Sequence, residues 1–125
     1  MYQCEVKSVG EFIRRIAVDL VPRGYVFYVV GEIPHAKDVA KTDAKIIHQY
    51  GISISKWARA RQKQKGIARL HYVRHRRTFV ILATHGTHDF FTVESRNIRD
   101  LRQNALRVFG FHIKSLNGKG RVCSE

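Results

Sequence analysis

The chain has 125 residues, of which 44% are hydrophobic and 26% are charged. This size and composition predict one globular domain with a single core, and they exclude a disordered chain or an array of domains. The formal net charge of +13 exceeds what solubility requires, and no acidic residue lies between Asp43 and Asp89. A surface of one charge sign indicates a polyanionic partner, most commonly the phosphates of nucleic acid.

Cysteine content and hydropathy indicate where the protein resides and whether it spans a membrane. Cys4 and Cys123 show neither CxxC spacing nor a Cys/His cluster, so we expect two free thiols or, in an oxidising compartment, one disulfide. The amino terminus is too polar for a signal peptide, and no apolar run approaches the roughly 20 residues that span a bilayer. We therefore expect a cytoplasmic protein without a membrane partner, and the sequence carries no signature of oligomeric state.

The first predicted elements are a helix and a central strand. Ser8 and Glu11 have capping-box spacing, and apolar residues then recur at helical intervals until Pro22. Residues 25–33 are rich in aromatic and β-branched side chains, which predicts a strand that is buried on both faces.

Two further helices follow in the sequence. The first is predicted over residues 38–50, with Ala40, Ala44 and Ile47 on its apolar side and Gly51 as its stop. The second covers residues 56–65, with Ser55 as a candidate cap.

The carboxyl-terminal half predicts a hairpin, a helix and a last strand. Residues 67–74 and 78–84 are strand-like, and the turn at 75–77 lacks Gly and Asn, which predicts a loop longer than two residues. Thr92 is expected to cap a helix that directs Ile98 and Leu101 inward, and residues 106–116 to form a strand.

The element order α-β-α-α-β-β-α-β predicts an α+β fold. We expect one domain over residues 1–117, with a mostly antiparallel sheet of about four strands and helices packed on one face. Residues 118–125 are expected to form a flexible tail.

The predicted helix over residues 56–65 holds the strongest functional signal. Arg59 and Lys63 are i,i+4 neighbours, and such like-charge pairs are unfavourable unless an anion lies between them. Trp57 is interpreted as an anchor to the core in preference to a stacking platform for bases. The residues predicted to contact phosphates are Lys56, Arg59, Arg61, Lys63, Lys65, Arg69, Arg74, Arg76, Arg77, Arg96, Arg99 and Arg102.

If the protein is an enzyme, residues 84–91 are the first candidate site. His85 and His88, with Asp89, would supply an acid/base pair or ligands for a divalent metal. The two residues between the histidines differ from the single apolar residue of rolling-circle and relaxase enzymes. Only one H-x-T motif is present, whereas two-histidine phosphodiesterases have two.

A second enzymatic hypothesis comes from the order β-α-α-β-β-β, which begins at Tyr25, omits the predicted helix near residue 96 and includes the basic hairpin. This order resembles the small ribonuclease toxins, which cut RNA without metal by means of Arg, Lys, His and Tyr side chains. The resemblance implies a site formed by Arg74, Arg77, His71, His85 and Tyr72.

Nucleic-acid binding is the function that the sequence favours. RNA is slightly preferred to DNA because aromatic residues are interleaved with the basic ones and no helix-turn-helix or zinc-finger signature occurs. The alternative is a small nuclease or strand-transfer enzyme centred on His85 and His88, or a metal-independent ribonuclease of toxin type. No cofactor is expected, and a divalent metal belongs only to the alternative.

Overall fold

The computed structural model describes residues 4–52 and 56–124, with Lys56 described by its backbone alone. Its helices are α1 (Val9–Arg14), α2 (Val39–Tyr50), α3 (Lys56–Gln64) and α4 (Asp89–Val93). Its strands are β1 (Phe27–Glu32), β2 (Leu70–His75), β3 (Thr78–Ala83), β4 (Arg99–Asp100), β5 (Leu106–Val108), β6 (Phe111–Leu116) and β7 (Lys119–Ser124). The strands form two antiparallel sheets, which confirms the predicted α+β class.

The first helix begins as its sequence predicts. The Ser8 hydroxyl oxygen accepts a hydrogen bond from the backbone N–H of Glu11 at 3.1 Å. Beyond α1 the chain continues in π-helical turns over Arg15–Leu20 and a 3-10 turn over Val21–Arg23. It ends at Gly24, whose φ of +94° suits glycine. The predicted helix is thus confirmed, although its apolar spacing does not reveal the π-helical geometry.

Strands β2, β3, β1 and β4 lie in that order in the larger sheet. β2 and β3 form the predicted hairpin, but His75 pairs with Thr78, so only Arg76 and Arg77 form the loop. Arg76 has a φ of +55°, the left-handed backbone that two-residue turns need. The Arg74 guanidinium donates to the Arg76 carbonyl oxygen and stabilises this turn. The prediction of a longer loop is therefore wrong.

Both faces of the larger sheet are covered, because side chains along a strand alternate between them. The first core combines α1 and its continuation with the sheet residues Tyr28, Val73, Val80 and Leu82. The second core combines α2 and α4 with the sheet residues Val29, Leu70, Tyr72 and Ile81. Helices were predicted on one face only, whereas the structure places them on both.

Helix α2 lies on the second face and has the predicted ends. The Asp38 carboxylate accepts from the backbone N–H of Lys41 at 3.0 Å, and Gly51 ends the helix with a φ of +62°. Its buried side chains are Asp43 and Tyr50. Ala40 and Ala44, which the sequence places on the apolar side of this helix, are exposed.

The helix predicted to begin at Thr92 begins earlier, as α4. The His88 Nδ1 accepts a hydrogen bond from the backbone N–H of Phe90 at 3.0 Å and caps this helix. Residues 94–97 form turns that lead into β4. Ile98 and Leu101 nevertheless pack inward as predicted, from the positions directly before and directly after β4.

Residues 106–124 form a second sheet in the order β5-β6-β7. The single strand predicted over 106–116 is interrupted at Phe109 and Gly110, which have φ of +53° and +79°. The predicted tail contributes β7, so regular structure continues to Ser124. Asn117-Gly118 forms the β6–β7 turn, and this dipeptide is a sequence signal for a two-residue hairpin.

Candidate nucleic-acid interface

The basic residues predicted to contact phosphates lie in three regions. The first, on α3 and before β2, contains Lys56, Arg59, Arg61, Lys63, Lys65 and Arg69. The hairpin tip contains Arg74, Arg76 and Arg77. The third region, around β4, contains Arg96, Arg99 and Arg102. The first two regions are separated by the length of β2, roughly 20 Å, and β4 lies at the opposite edge of the sheet from β2.

Trp57 is the most exposed large apolar residue among the described ones, with 77% of its surface accessible. The prediction that it anchors α3 to the core is therefore wrong. Arg61 and Lys63 are exposed on the same helix, and Arg61 follows Trp57 at the i+4 spacing that places two residues on one helix face. The outer side of α3 thus combines an accessible aromatic ring with positive charge.

The inner side of α3 is held by specific hydrogen bonds. The Arg59 Nη2 donates to the carbonyl oxygen of Ile52 at 2.9 Å. At the other end the backbone N–H of Ile67 donates to the carbonyl oxygen of Gln62 at 2.9 Å. Arg59 therefore positions the helix as well as carrying charge. The predicted cap Ser55 lies outside the described residues.

A group of arginines surrounds His71 on β2. Burial, followed by the charges of Arg59, Arg15 and Arg23, lowers the pKa of His71 from 6.5 to about 4. The Arg69 guanidinium lies 5.9 Å from the ring centroid of Tyr25, whose ring is 5.8 Å from that of His71. These guanidinium groups, Arg15, Arg23, Arg59 and Arg69, are called the arginine cluster below.

Two members of the arginine cluster were not among the predicted binding residues. They are Arg15 and Arg23. The structure brings them to His71 from the π-helical and 3-10 turns, whereas Arg59 comes from α3. Helical periodicity places Arg15 off the apolar stripe, but only the tertiary fold shows which element it meets.

The hairpin tip is largely committed to the fold. Arg74 is 6% exposed, and its Nε donates to both Asp43 carboxylate oxygens at 2.9 Å. Its Nη1 lies 3.2 Å from the Glu5 carboxylate. The Arg77 Nη1 donates to the carbonyl oxygen of Pro34 at 2.7 Å. Of the three basic residues at this tip, Arg76 alone is fully exposed.

The region around β4 is exposed but partly neutralised. Arg102 forms a bidentate pair with Asp100, with a shortest N–O distance of 2.7 Å. Hydrogen bonding by Arg102 lowers the pKa of the Asp100 carboxyl group and so keeps that pair charged. Because β4 and β2 occupy opposite edges, this region is separate from the arginine cluster.

The predicted histidine site does not assemble as an acid/base pair. The His88 Nδ1 caps α4, and its Nε2–H donates to the Tyr50 carbonyl oxygen at 3.1 Å, so both ring nitrogens have structural partners. The exposed His85 packs edge-on against Phe27, with centroids 4.8 Å apart. Asp89 is exposed in the first turn of α4.

The residues implied by the ribonuclease resemblance are also divided. His71 and Tyr72 are adjacent in β2, so their side chains point to opposite faces of the sheet. Tyr72 is fully buried, and its hydroxyl donates to Asp43 at 2.6 Å. Burial and Asp43 raise the pKa of this hydroxyl, which therefore stays protonated. His71 and Tyr72 cannot meet in one site.

Within residues 4–52 and 56–124, no group of three or more His, Cys, Asp or Glu residues is placed to hold a metal ion. No helix in the described part of the chain is long and apolar enough to cross a membrane. Comparison with protein-family models, curated proteins and solved structures finds no match to the chain. The geometry of these side chains is therefore the basis for inferring a function.

Proposed function

We propose that the protein binds single-stranded nucleic acid through the outer side of α3 and the arginine cluster, with RNA slightly preferred to DNA. The exposure of Trp57 on a basic helix is the observation that carries this proposal. A tryptophan ring in water loses the stabilisation of apolar burial, whereas stacking on an unpaired base contributes about 1–3 kcal/mol.

The arginine cluster supplies the electrostatic part of the proposed interface. Arg15, Arg23 and Arg59 come from separate elements, and each disfavours a further positive charge at His71. Phosphate groups would relieve this repulsion, and planar guanidinium groups suit phosphate recognition. Backbone contacts of this type provide affinity without sequence discrimination.

The first test is fluorescence titration, because Trp57 is the only tryptophan in the chain. Single-stranded RNA and DNA of about 12 nucleotides should quench Trp57 emission, and Trp57→Ala should weaken binding by about 5-fold to 150-fold. Trp57→Phe should retain most of the affinity because it keeps an aromatic face. Equal affinity of Trp57→Ala and wild type would contradict the stacking role.

The electrostatic role is tested with exposed residues that make no described structural contact. Lys63→Gln and Arg23→Gln should each reduce the slope of log affinity against log salt by about 0.7 for a single strand. Lys41→Gln, an equal charge loss on α2, is the matched control and should leave the slope unchanged. Failure of wild type to bind any oligonucleotide at about 50 mM salt would contradict the whole proposal.

The enzymatic alternative is checked in the same samples. The oligonucleotides are analysed on denaturing gels, with and without EDTA. His85→Ala is the informative variant, because replacing His88 would also remove the α4 cap. Strand cleavage by wild type that is lost in His85→Ala would favour the nuclease alternative over a binding module. The response to EDTA would distinguish metal-dependent chemistry from the metal-free type.

A further inference from the structure

The outward face of the β5-β6-β7 sheet is basic. The residues Leu106, Val108 and Ile113 point into the first core, so the alternating positions point outward. The pairing of the strands places the following residues on that outer face: Arg107, His112, Lys114, Leu116, Lys119, Arg121 and Cys123. Among these residues, four are Lys or Arg and none is Asp or Glu. This set is called the basic sheet face.

Like charges lie directly opposite one another on the basic sheet face. Lys114 lies directly opposite Arg121 across β6 and β7. Like charges in this arrangement destabilise a sheet. The ion pairs at Arg74 and Arg102 do not involve Arg107, Lys114, Lys119 or Arg121. An external anion would relieve the repulsion.

The basic sheet face and the segment that carries part of the arginine cluster lie on opposite sides of β7. β7 packs along residues 15–23, where Arg15 and Arg23 lie. At the contact, a Cβ on Gly120 would collide with the carbonyl oxygen of Ala17, so the two backbones approach closely. β7 is the edge strand of its sheet, so a nucleic acid that contacts both surfaces would pass around this edge, where the exposed Asp19 is the one acidic residue of residues 15–23.

We infer that the basic sheet face contacts the backbone phosphates of the same nucleic acid and extends the interface beyond α3. This inference rests on the proposed function. The face holds no Phe, Tyr or Trp, so it offers no stacking platform and contributes affinity independent of base sequence. Its Leu116, 44% exposed, is its one aliphatic side chain, which is too little apolar surface to insert into a bilayer interface.

The exposed thiol of Cys123 provides a direct probe of the face, since it lies opposite His112. Cys4 is buried, and burial together with Asp43 raises its pKa to about 11, so alkylation at neutral pH should modify Cys123 selectively. We expect saturating oligonucleotide to slow alkylation of Cys123 several-fold, read by mass spectrometry of the peptide that contains it.

The double variant Lys114→Gln with Arg121→Gln measures how much the basic sheet face contributes to nucleic-acid affinity. It should reduce the salt slope for single strands by about 1.4, the sum of two contacts. Two oligonucleotides of unrelated sequence should be affected equally, and Trp57 quenching at saturation should persist. The control with the same loss of charge is Lys37→Gln with Lys41→Gln, at exposed positions before and within α2. The control should bind like wild type.

The outcomes separate this inference from the proposed function. The inference would be overturned if oligonucleotide quenched Trp57 but left Cys123 unprotected, and if the double variant kept the wild-type salt slope. The proposed function would still stand in that case. The inference would also be overturned if vesicles containing phosphatidylserine protected Cys123 from alkylation and oligonucleotides did not. That result would identify a lipid surface as the partner of this face. Absence of any oligonucleotide binding by wild type would overturn both.

Discussion

His71 links the arginine cluster to the stability of the fold. Its folded pKa is about 4, against about 6.5 for a solvated histidine. Between these values the unfolded chain binds more protons than the folded one, so the free energy of unfolding falls as pH falls. We expect this contribution to be complete above about pH 6.5 and lost by about pH 4, with an upper bound on the order of 3 kcal/mol.

Urea denaturation between pH 7 and pH 4 measures this effect. Carboxyl groups also titrate near the lower end, so the informative quantity is the difference between wild type and His71→Gln. The variant should lose less stability than wild type across this range. His48→Gln, at an exposed position on α2, should behave like wild type. An identical pH dependence in wild type and His71→Gln would contradict the assignment.

The sequence alone predicted that the site is basic, but it did not predict which residues form it. The surplus of cations was evident from composition, but which of them face solvent was not. Arg74 is neutralised by Asp43, 31 positions away in the sequence, because strand alternation and α2 packing bring the pair together. Trp57 shows the converse, since a tryptophan between alanines is typical of a buried anchor, yet this one is 77% exposed.

At the level of elements, β7 depends on one glycine. Gly120 lies where its backbone meets that of Ala17, and a Cβ would collide with the Ala17 carbonyl oxygen. We expect Gly120→Ala to lower the free energy of unfolding by about 1–3 kcal/mol, because neither backbone can move without disturbing its own hydrogen bonds. Thermal unfolding followed by circular dichroism provides the measurement.

Gly10→Ala is the matched control for that substitution. Gly10 lies in α1, and a Cβ there would have nothing within 4 Å. Alanine also has the higher helix propensity, so Gly10→Ala should be neutral or slightly stabilising. If the two variants proved equally stable, close packing of β7 against residues 15–23 would be refuted.

Elements with a local signal were predicted well. Ser8 caps α1 as predicted, and Asp38, the first residue of the helix predicted over 38–50, caps α2, because capping depends on a few consecutive residues. The start of α4 was missed because its cap is a histidine nitrogen, which is outside the usual set of Ser, Thr, Asp and Asn. The second sheet was missed although Asn117-Gly118 carries its turn signal.

At the scale of the whole molecule, the positive charge is unevenly neutralised. Asp43 and Glu5 pair with Arg74, and Asp100 pairs with Arg102. These three ion pairs involve neither Arg61 and Lys63 on α3 nor the basic sheet face residues Arg107, Lys114, Lys119 and Arg121. The α+β class followed from the order of apolar patterns. The placement of the arginine cluster and the basic sheet face on the two sides of β7 depends on packing between residues 15–23 and β7, which are about a hundred positions apart.

This distribution predicts that salt stabilises the folded protein. A net charge of +13 in a compact shape repels itself, and repulsion is screened over about 10 Å at 0.1 M salt and about 3 Å at 1 M. We expect Tm to rise by several degrees between about 0.05 M and 0.5 M NaCl, since about 1 kcal/mol corresponds to roughly 2–8 °C for domains of this size range. Chloride is preferable to sulfate, which stabilises proteins generally through exclusion from their surface.

The double variant Lys114→Gln with Arg121→Gln removes one directly opposed pair of like charges. Its Tm should therefore rise less with NaCl than the Tm of Lys37→Gln with Lys41→Gln. A Tm that is independent of NaCl, or equal rises in the two double variants, would show that the basic sheet face stores no such repulsion.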